Sequence, residues 1–529
     1  MRRIRSAIEY YKLVKSIQAE MDGSSSQSRF IGVDAIFQYA GSGVQLFSGL
    51  VFYLIAVRLF NTASIGAIAL FVAIVGLFNI IFSFGLSTAS QHFTSFSLGK
   101  GDYASVRRTV YRILEFSFGL SVAGLITLQI LAGEISVVFL HSSSYTILVR
   151  VLGVVLFGNI MFGILNGVIL GIQQFRLSAF ISSMIWITYY FGALLFAVYL
   201  RSIDTIVFGW ILGIFSGVII ELAVVISSIR KYLGEGKPPN NLYLFRYSFP
   251  ILLSGLISYG AGYADRFVVS GLMSLSELGV YNFSLLIVSA ISFLAVPFNN
   301  ILMPKFSEFY GRGERHLIAS TTEVSMTLLS YFYVPAALGI AALSPIILDF
   351  LGGSQYVPGA LPLRIIMFVS ALFISQNILT QAIASIRRTR LFLYSSGLAL
   401  AGNVVVSILL IPPFGLVGAA LGFSTVYAIT FVILYSVARR ESIVSMDLTG
   451  IVKVWTASIV MFVTVDFISD LLGLHILYLP VYIVIGALVY IGLAKAMGIF
   501  KRENKELILS LFPDRLLLLR KLLLIIVLH

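Results

Sequence analysis

The chain has 529 residues, of which 59% are apolar and only 11% charged, with no cysteine and a formal net charge of +13. A soluble protein carries about 25% charged residues, so this composition, with a mean hydropathy of +0.99, describes a polytopic membrane protein and leaves little room for a soluble domain. The missing thiols exclude disulfides, thiolate metal sites and a cysteine nucleophile.

Residues 1–30 ("MRRIRSAIEYYKLVKSIQAEMDGSSSQSRF") are basic and lack the apolar stretch of a signal peptide. Their pattern predicts a cytoplasmic amphipathic helix on the membrane surface, followed by a serine-rich linker. Fourteen apolar runs follow, each long enough for a span of about 20 residues. They cover 33–59, 65–90, 109–133, 146–172, 177–200, 205–228, 247–272, 278–303, 319–348, 361–384, 391–411, 415–437, 451–470 and 476–498. The runs are continuous rather than alternating, and longer than the roughly 10 residues of a barrel strand. The expected fold is therefore an all-α polytopic membrane protein with about fourteen transmembrane helices. Its expected parts are a lobe at 31–240 (spans 1–6), a second lobe at 241–445 (spans 7–12), two further spans within 446–500, and a cytoplasmic, interfacial tail at 501–529.

With the N-terminus placed in the cytoplasm, 31 of the 36 Lys and Arg fall on inner segments or at the inner ends of spans. The five exceptions are Arg58, Arg150, Arg201, Arg266 and Arg364. This asymmetry is the positive-inside signature, and it predicts that both termini are cytoplasmic in a plasma-membrane protein. The net charge is then a topology signal, and nucleic-acid binding is set aside.

The two lobes repeat at an offset of about 213. Gly99-Lys-Gly-Asp102 matches Gly311-Arg-Gly-Glu314, "ASIGAIALF" (63–71) matches "SELGVYNFS" (276–284), and Arg150 and Arg176 match Arg364 and Arg390. Six spans repeated in the same orientation imply an axis along the membrane normal, an arrangement transporters use with the substrate between the halves.

"YSFPILLSGL", "YADRFVVSGLMSLSELGVYNFS", "LMPKFSEFYGRGE" and "PPFGLVGAALGFSTVY", in that order, resemble the polysaccharide (O-antigen type) flippases. These belong to the multidrug/oligosaccharidyl-lipid/polysaccharide (MOP) exporter superfamily. The resemblance covers roughly residues 30–500. It implies two six-helix lobes around a cavity, two extra helices, and movement of a polyprenyl-linked oligosaccharide from the inner to the outer leaflet by alternating access. It also implies membrane lipids as surroundings, biosynthetic glycosyltransferases as neighbours, and coupling to Na+, H+ or the membrane potential. No cofactor or metal is expected, and the chain is read as a monomer. Within these motifs, Pro250 is expected in the first turn of span 7, Pro297 and Pro304 to bend and end span 8, and Gly415 and Gly418 to make a tight turn with close helix approach.

Charges inside spans are costly and are therefore the candidate site. Asp265 and Arg266 lie in span 7 on adjacent positions, about 100° apart on a helix and so not a natural pair, and each is expected to need a partner elsewhere or a wet cavity, the structural alternative being an interhelical salt bridge with a snorkelling arginine. Arg266 is the candidate cation for a lipid phosphate, and Asp265 the candidate gating or coupling acid. Arg58, at the end of span 1, is placed to face Asp265. Arg150 and Arg364, at matched ends of spans 4 and 10, are either cavity cations or helix anchors. Arginine suits phosphate because it stays charged and binds oxygens in pairs. Glu115, Glu221 and Glu323 are expected to pair with nearby basic groups such as Arg112 or Arg230. Tyr189, Tyr190, Asn159, Asn166, Asn299, Asn377 and Asn403 are candidate sugar contacts, although such residues in helical bundles mostly satisfy neighbours.

Enzymes fit poorly. The outer segments are short and carry no paired carboxylates, the five histidines have no metal spacing, and "GKGD" lacks the setting of a phosphate loop. The competing transport reading is a cation-coupled multidrug exporter, which usually has twelve spans and a buried acid in the first lobe. Residues 35–57 of span 1 contain no acid.

Overall fold

The computed structural model describes residues 37–230, 240–473 and 476–499. The expected N-terminal surface helix and C-terminal tail lie outside these residues. The described residues form helices α1 (Phe37–Leu59), α2 (Thr62–Ser83), α3 (Leu86–Gly99), α4 (Tyr103–Leu140), α5 (Thr146–Gly171), α6 (Phe175–Leu200), α7 (Asp204–Ile229), α8 (Asn241–Leu272) and α9 (Leu275–Ser292). They continue with α10 (Val296–Gly311), α11 (Arg315–Ala342), α12 (Ser344–Gly352), α13 (Ala360–Leu372), α14 (Gln376–Ser385), α15 (Arg390–Phe414), α16 (Leu416–Arg440), α17 (Leu448–Leu472) and α18 (Leu479–Ala496). There is no strand among the described residues.

Thirteen of the described helices are long and apolar enough to cross a membrane. They match thirteen of the fourteen expected spans, and the exception is α8. That helix is 32 residues long. Its hydropathy is lowered by Asp265, Arg266 and the Ser, Gly and Tyr residues around them.

Several spans are broken where the sequence stays apolar. Span 2 divides at Phe84 and Gly85, which take left-handed φ of 52° and 71°. Span 8 divides at a 3-10 turn over Phe293–Ala295. Span 10 divides between α13 and α14. Two proline expectations change. Pro250 lies inside α8, because the helix begins at Asn241, and there it withholds one N–H from the helix ladder. Pro304 sits within α10, which runs on to Gly311. Gly415 is as expected, with φ 56° between α15 and α16. A side chain at Gly418 would meet the backbone of Leu410.

The repeated "GKGD" and "GRGE" loops have the same local cause. Gly101 has φ 70° and Gly313 φ 76°, a conformation glycine adopts without steric cost. In the first loop the Ser105 side chain and the Ser105 amide, the latter at 3.1 Å, hydrogen-bond to Asp102 and hold its carboxyl below the usual carboxylate range. In α9, Ser274 and Glu277 form a reciprocal capping box.

The chain divides into two compact units. One holds the described residues within 37–52, 78–130 and 150–252. Its core packs α6 against α7 through a glycine stripe. A side chain at Gly209, Gly213 or Gly217 would strike Ala193, Tyr189 or Ile185 respectively, so these glycines allow close backbone approach. Trp210 stacks on Tyr189 at 5.5 Å, within 4° of parallel. Phe52 and Tyr190 complete this aromatic core.

The second unit holds Tyr53–Leu77, Leu131–Val149 and the described residues from Leu253 on. Here α2 and α9 cross at their first turns. A side chain at Gly66 would collide with the Leu275 carbonyl, and one at Gly279 with the Thr62 carbonyl. Thr62 and Ser276 hydroxyls lie 2.5 Å apart beside this crossing. The contact is reciprocal, and its register is that of the repeat, Gly66 with Gly279 and Thr62 with Leu275.

Candidate functional site

The charged cluster of the second unit is built on α8. Asp265 is fully buried and forms an ion pair with its neighbour, Arg266 Nη1 lying 3.0 Å from Oδ1. The two thus pair with each other, where a partner elsewhere or a wet cavity was expected. The guanidinium folds back along its own helix, where Nη1 also donates to the Gly262 carbonyl at 2.6 Å. The Tyr281 hydroxyl of α9 donates to Asp265 Oδ2 at 2.9 Å, so both carboxylate oxygens are satisfied. Arg266 Nε reaches Asn282 Oδ1 at 3.4 Å. Its Nη2 has no hydrogen-bond partner among the described residues.

The Arg266 guanidinium lies over the Tyr263 ring, 4.4 Å from its centre, and Tyr263 stacks on Tyr259 at 4.4 Å within 5° of parallel. Positions 259, 263 and 266 share one face of α8, as spacings of four and three require. The Tyr259 hydroxyl donates to the Ala73 carbonyl at 2.9 Å. The result is a cation seated on one tyrosine ring, itself stacked on a second, and held by a buried carboxylate.

The other predicted arginines lie elsewhere. Arg58 does not meet Asp265. Its Nε donates to the Leu351 carbonyl at 2.9 Å and its Nη2 to Phe350, at the C-terminal end of α12, where a cation suits the helix dipole. Arg364 binds Asp466 of α17 at 2.8 Å and also the Ala341 and Ala342 carbonyls that close α11. It is an anchor joining α13, α11 and one of the two appended helices. Arg150 is exposed, its side chain has no ion pair among the described residues, and its carbonyl accepts from Gln129 at 2.8 Å. The matched arginines therefore differ, because the partner of Arg364 lies outside the repeat.

Glu115 pairs with Arg112 at 3.3 Å, as expected. Glu323 has no ion pair among the described residues. Glu221 departs from expectation. It is completely buried in α7, and its partner is Asn166 of α5, whose Nδ2 lies 2.8 Å from Oε1, rather than Arg230. The sequence signal was its spacing, four residues beyond Gly217 on the glycine stripe. Of the amide candidates, Asn403 reaches the Ala261 carbonyl at 3.4 Å and Asn377 the Ile374 carbonyl at 3.2 Å. Beside α11, α17 and α18 lies an apolar cleft of about 440 Å³. Phe332, Gly339, Met461, Tyr482, Ile483 and Tyr490 contribute to its walls.

The fold is one that solved membrane transporters share. A structure of "Lipid II flippase MurJ, inward closed conformation" superposes with a TM-score of 0.68 at 16% identity, covering 90% of this chain and 99% of the other. A "multidrug resistance MATE family transporter of the MOP superfamily" in its inward-facing conformation superposes with a TM-score of 0.63 at 14% identity, covering 75% and 94%. Within that fold, the sequence profile described as "Polysaccharide biosynthesis protein" matches residues 55–360, and the chain belongs to this family. A curated relative from Haloferax volcanii, "Probable low-salt glycan biosynthesis flippase Agl15", is 22% identical over 223 residues. That match spans 42% of this chain and about half, 47%, of the relative.

Proposed function

We propose that the protein is a flippase. It moves a polyprenyl-phosphate- or diphosphate-linked oligosaccharide from the cytoplasmic to the outer leaflet by alternating access, for assembly of a cell-surface glycan. The repeats at 31–240 and 241–445 act as its lobes, and both termini face the cytoplasm. Family membership and the similarity to a protein named as a glycan flippase support this reading. The observation that carries it is the Arg266 column on α8. A guanidinium with a donor to spare and its face on tyrosine presents what a sugar phosphate requires, a fixed cation beside aromatic surface. The apolar cleft beside α18 supplies a hydrocarbon surface suited to a polyprenyl tail.

Arg266 is the proposed phosphate ligand, with Asp265 as the group that positions it. Arg58, Arg364 and Arg150 hold secondary places in the proposal, because the first two are occupied by helix ends or a carboxylate. The test is leaflet exchange of a labelled polyprenyl-diphosphate oligosaccharide in proteoliposomes, read by lectin access to the sugar. Wild type is expected to exchange it, and Arg266→Ala to slow it by at least about tenfold, the loss of one charge-assisted contact. Unchanged exchange in Arg266→Ala would remove this residue from the site. The second reading, a cation-coupled multidrug exporter, is favoured by the fold shared with a MATE transporter. Export of a cationic dye without glycolipid exchange would establish it instead.

A further inference from the structure

A second polar site lies inside the first unit, away from the Arg266 column. Glu221 of α7, Asn166 of α5, and Ser178 and Ser182 of α6 converge there. Asn166 Nδ2 lies 2.8 Å from Glu221 Oε1, 3.1 Å from Ser178 Oγ and 3.2 Å from Ser182 Oγ. Glu221 Oε2 is buried without a hydrogen-bond partner.

This arrangement cannot hold a charged carboxylate at low cost. The charged residues of the three helices are Arg150, Arg176 and Asp204, all within the first five residues of their helices, and Glu221 itself. Arg201 and Arg230 stand at helix ends as well. The tyrosines Tyr189, Tyr190 and Tyr199 lie farther along α6. No charged or titratable neighbour among the described residues acts on Glu221, and Asn166 is its hydrogen-bond partner. An unpaired ionised carboxylate in such a place is strongly disfavoured. The donor count agrees. An amide nitrogen has two hydrogens, yet three oxygens approach this one. Turning the Asn166 amide over, a choice that hydrogen-bond logic governs, lets its oxygen accept from Ser182 and a protonated Glu221, while its nitrogen takes the position 3.3 Å from Ser178 Oγ and donates to it.

We propose that Glu221, with Asn166, Ser178 and Ser182, forms a proton-binding site. In the conformation described the carboxyl is neutral and donates to Asn166. When the site opens to water, the carboxyl transfers its proton to water and becomes ionised. Protonation thus favours the closed packing of α5, α6 and α7, and a pH gradient biases the transport cycle. This coupling rests on the transport reading above, but the protonation and its effect on packing do not.

The test uses the full chain in lipid nanodiscs and in proteoliposomes. Infrared difference spectra of wild type minus Glu221→Gln at neutral pH are expected to show a protonated-carboxyl band that shifts in D2O. Amide protection over α5–α7, taken relative to the intrinsic base-catalysed exchange rate at each pH, is expected to fall as pH rises in wild type and to be pH-independent in Glu221→Gln. A missing band, or a band that Na+ abolishes, overturns the proton site. Equal pH response of the two proteins in hydrogen exchange overturns the link to packing. In proteoliposomes, a pH gradient is expected to change wild-type exchange by about tenfold, a typical coupling factor, and the ratio with and without gradient to fall to one in Glu221→Gln. An unchanged ratio in the variant overturns the coupling. Absence of any wild-type glycolipid exchange defeats the flippase reading, while the infrared and hydrogen-exchange results still decide the site.

Discussion

The buried acids of the two units, Asp265 and Glu221, are equally inaccessible and differently supported. Asp265 has a guanidinium on one oxygen and a phenol on the other. Glu221 has one amide and an orphan oxygen. The first carboxylate meets a partner on each oxygen, and the second leaves one oxygen with none. Burial alone thus says little about what an acid does, and the neighbours decide. The repeat sharpens the contrast. At the offset of 213, Phe52 stands where Asp265 stands, and Leu434 where Glu221 stands. Phe52 is packed into the aromatic core with Trp210, and Leu434 is fully buried. Each half carries its acid where the other carries hydrocarbon.

The contrast is open to direct attack by substitution. Asp265→Asn strands the Arg266 charge, and breaking a buried pair typically costs about 3–5 kcal/mol. Thermal unfolding in detergent is expected to show this as the largest loss. Gly66→Leu drives a side chain into the Leu275 backbone, an overpacking that costs about 1–3 kcal/mol, visible as reduced folded yield and a lower Tm. Arg364→Gln removes a pair whose side chains are about 30% exposed, so solvent screening limits the loss of that pair to about 1 kcal/mol. Glu221→Gln replaces a neutral group by a neutral group of similar shape, and its cost is expected within about 0.5 kcal/mol. Equal destabilisation by Asp265→Asn and Glu221→Gln would erase the distinction between the two sites.

Much of the fold was legible because membrane spans announce themselves by length and apolarity. Thirteen expected spans recur as apolar helices, and the repeated loops recur as left-handed glycine turns. The breaks at Phe84 and Phe373 were not legible, because an apolar run reads as unbroken whatever its backbone does. The Asp265–Arg266 pair was missed for a different reason. Angular spacing describes Cβ directions, but an arginine is long enough to turn back on its own helix and reach both Gly262 and its neighbour. Arg58 was misplaced because its partners are carbonyls of a helix end 292 and 293 residues away, which carry no sequence signature. Glu221 was visible as an acid, while its isolation from every cation became clear only once α5, α6 and α7 were packed.

The reciprocal crossing of α2 and α9 has a consequence for descent. Residue i touching j while j's counterpart touches i's is the pattern of an isologous interface, the kind two identical chains make across a two-fold axis. Here both sides belong to one polypeptide. A half-length chain bearing the Thr62–Gly66 patch would meet its own copy in the same way. Fusion of two such copies keeps the crossing under joint constraint, since a bulky residue on either side damages both. Away from the axis the copies are free to drift apart, and a charge gained by one half at a given position imposes no charge on the other.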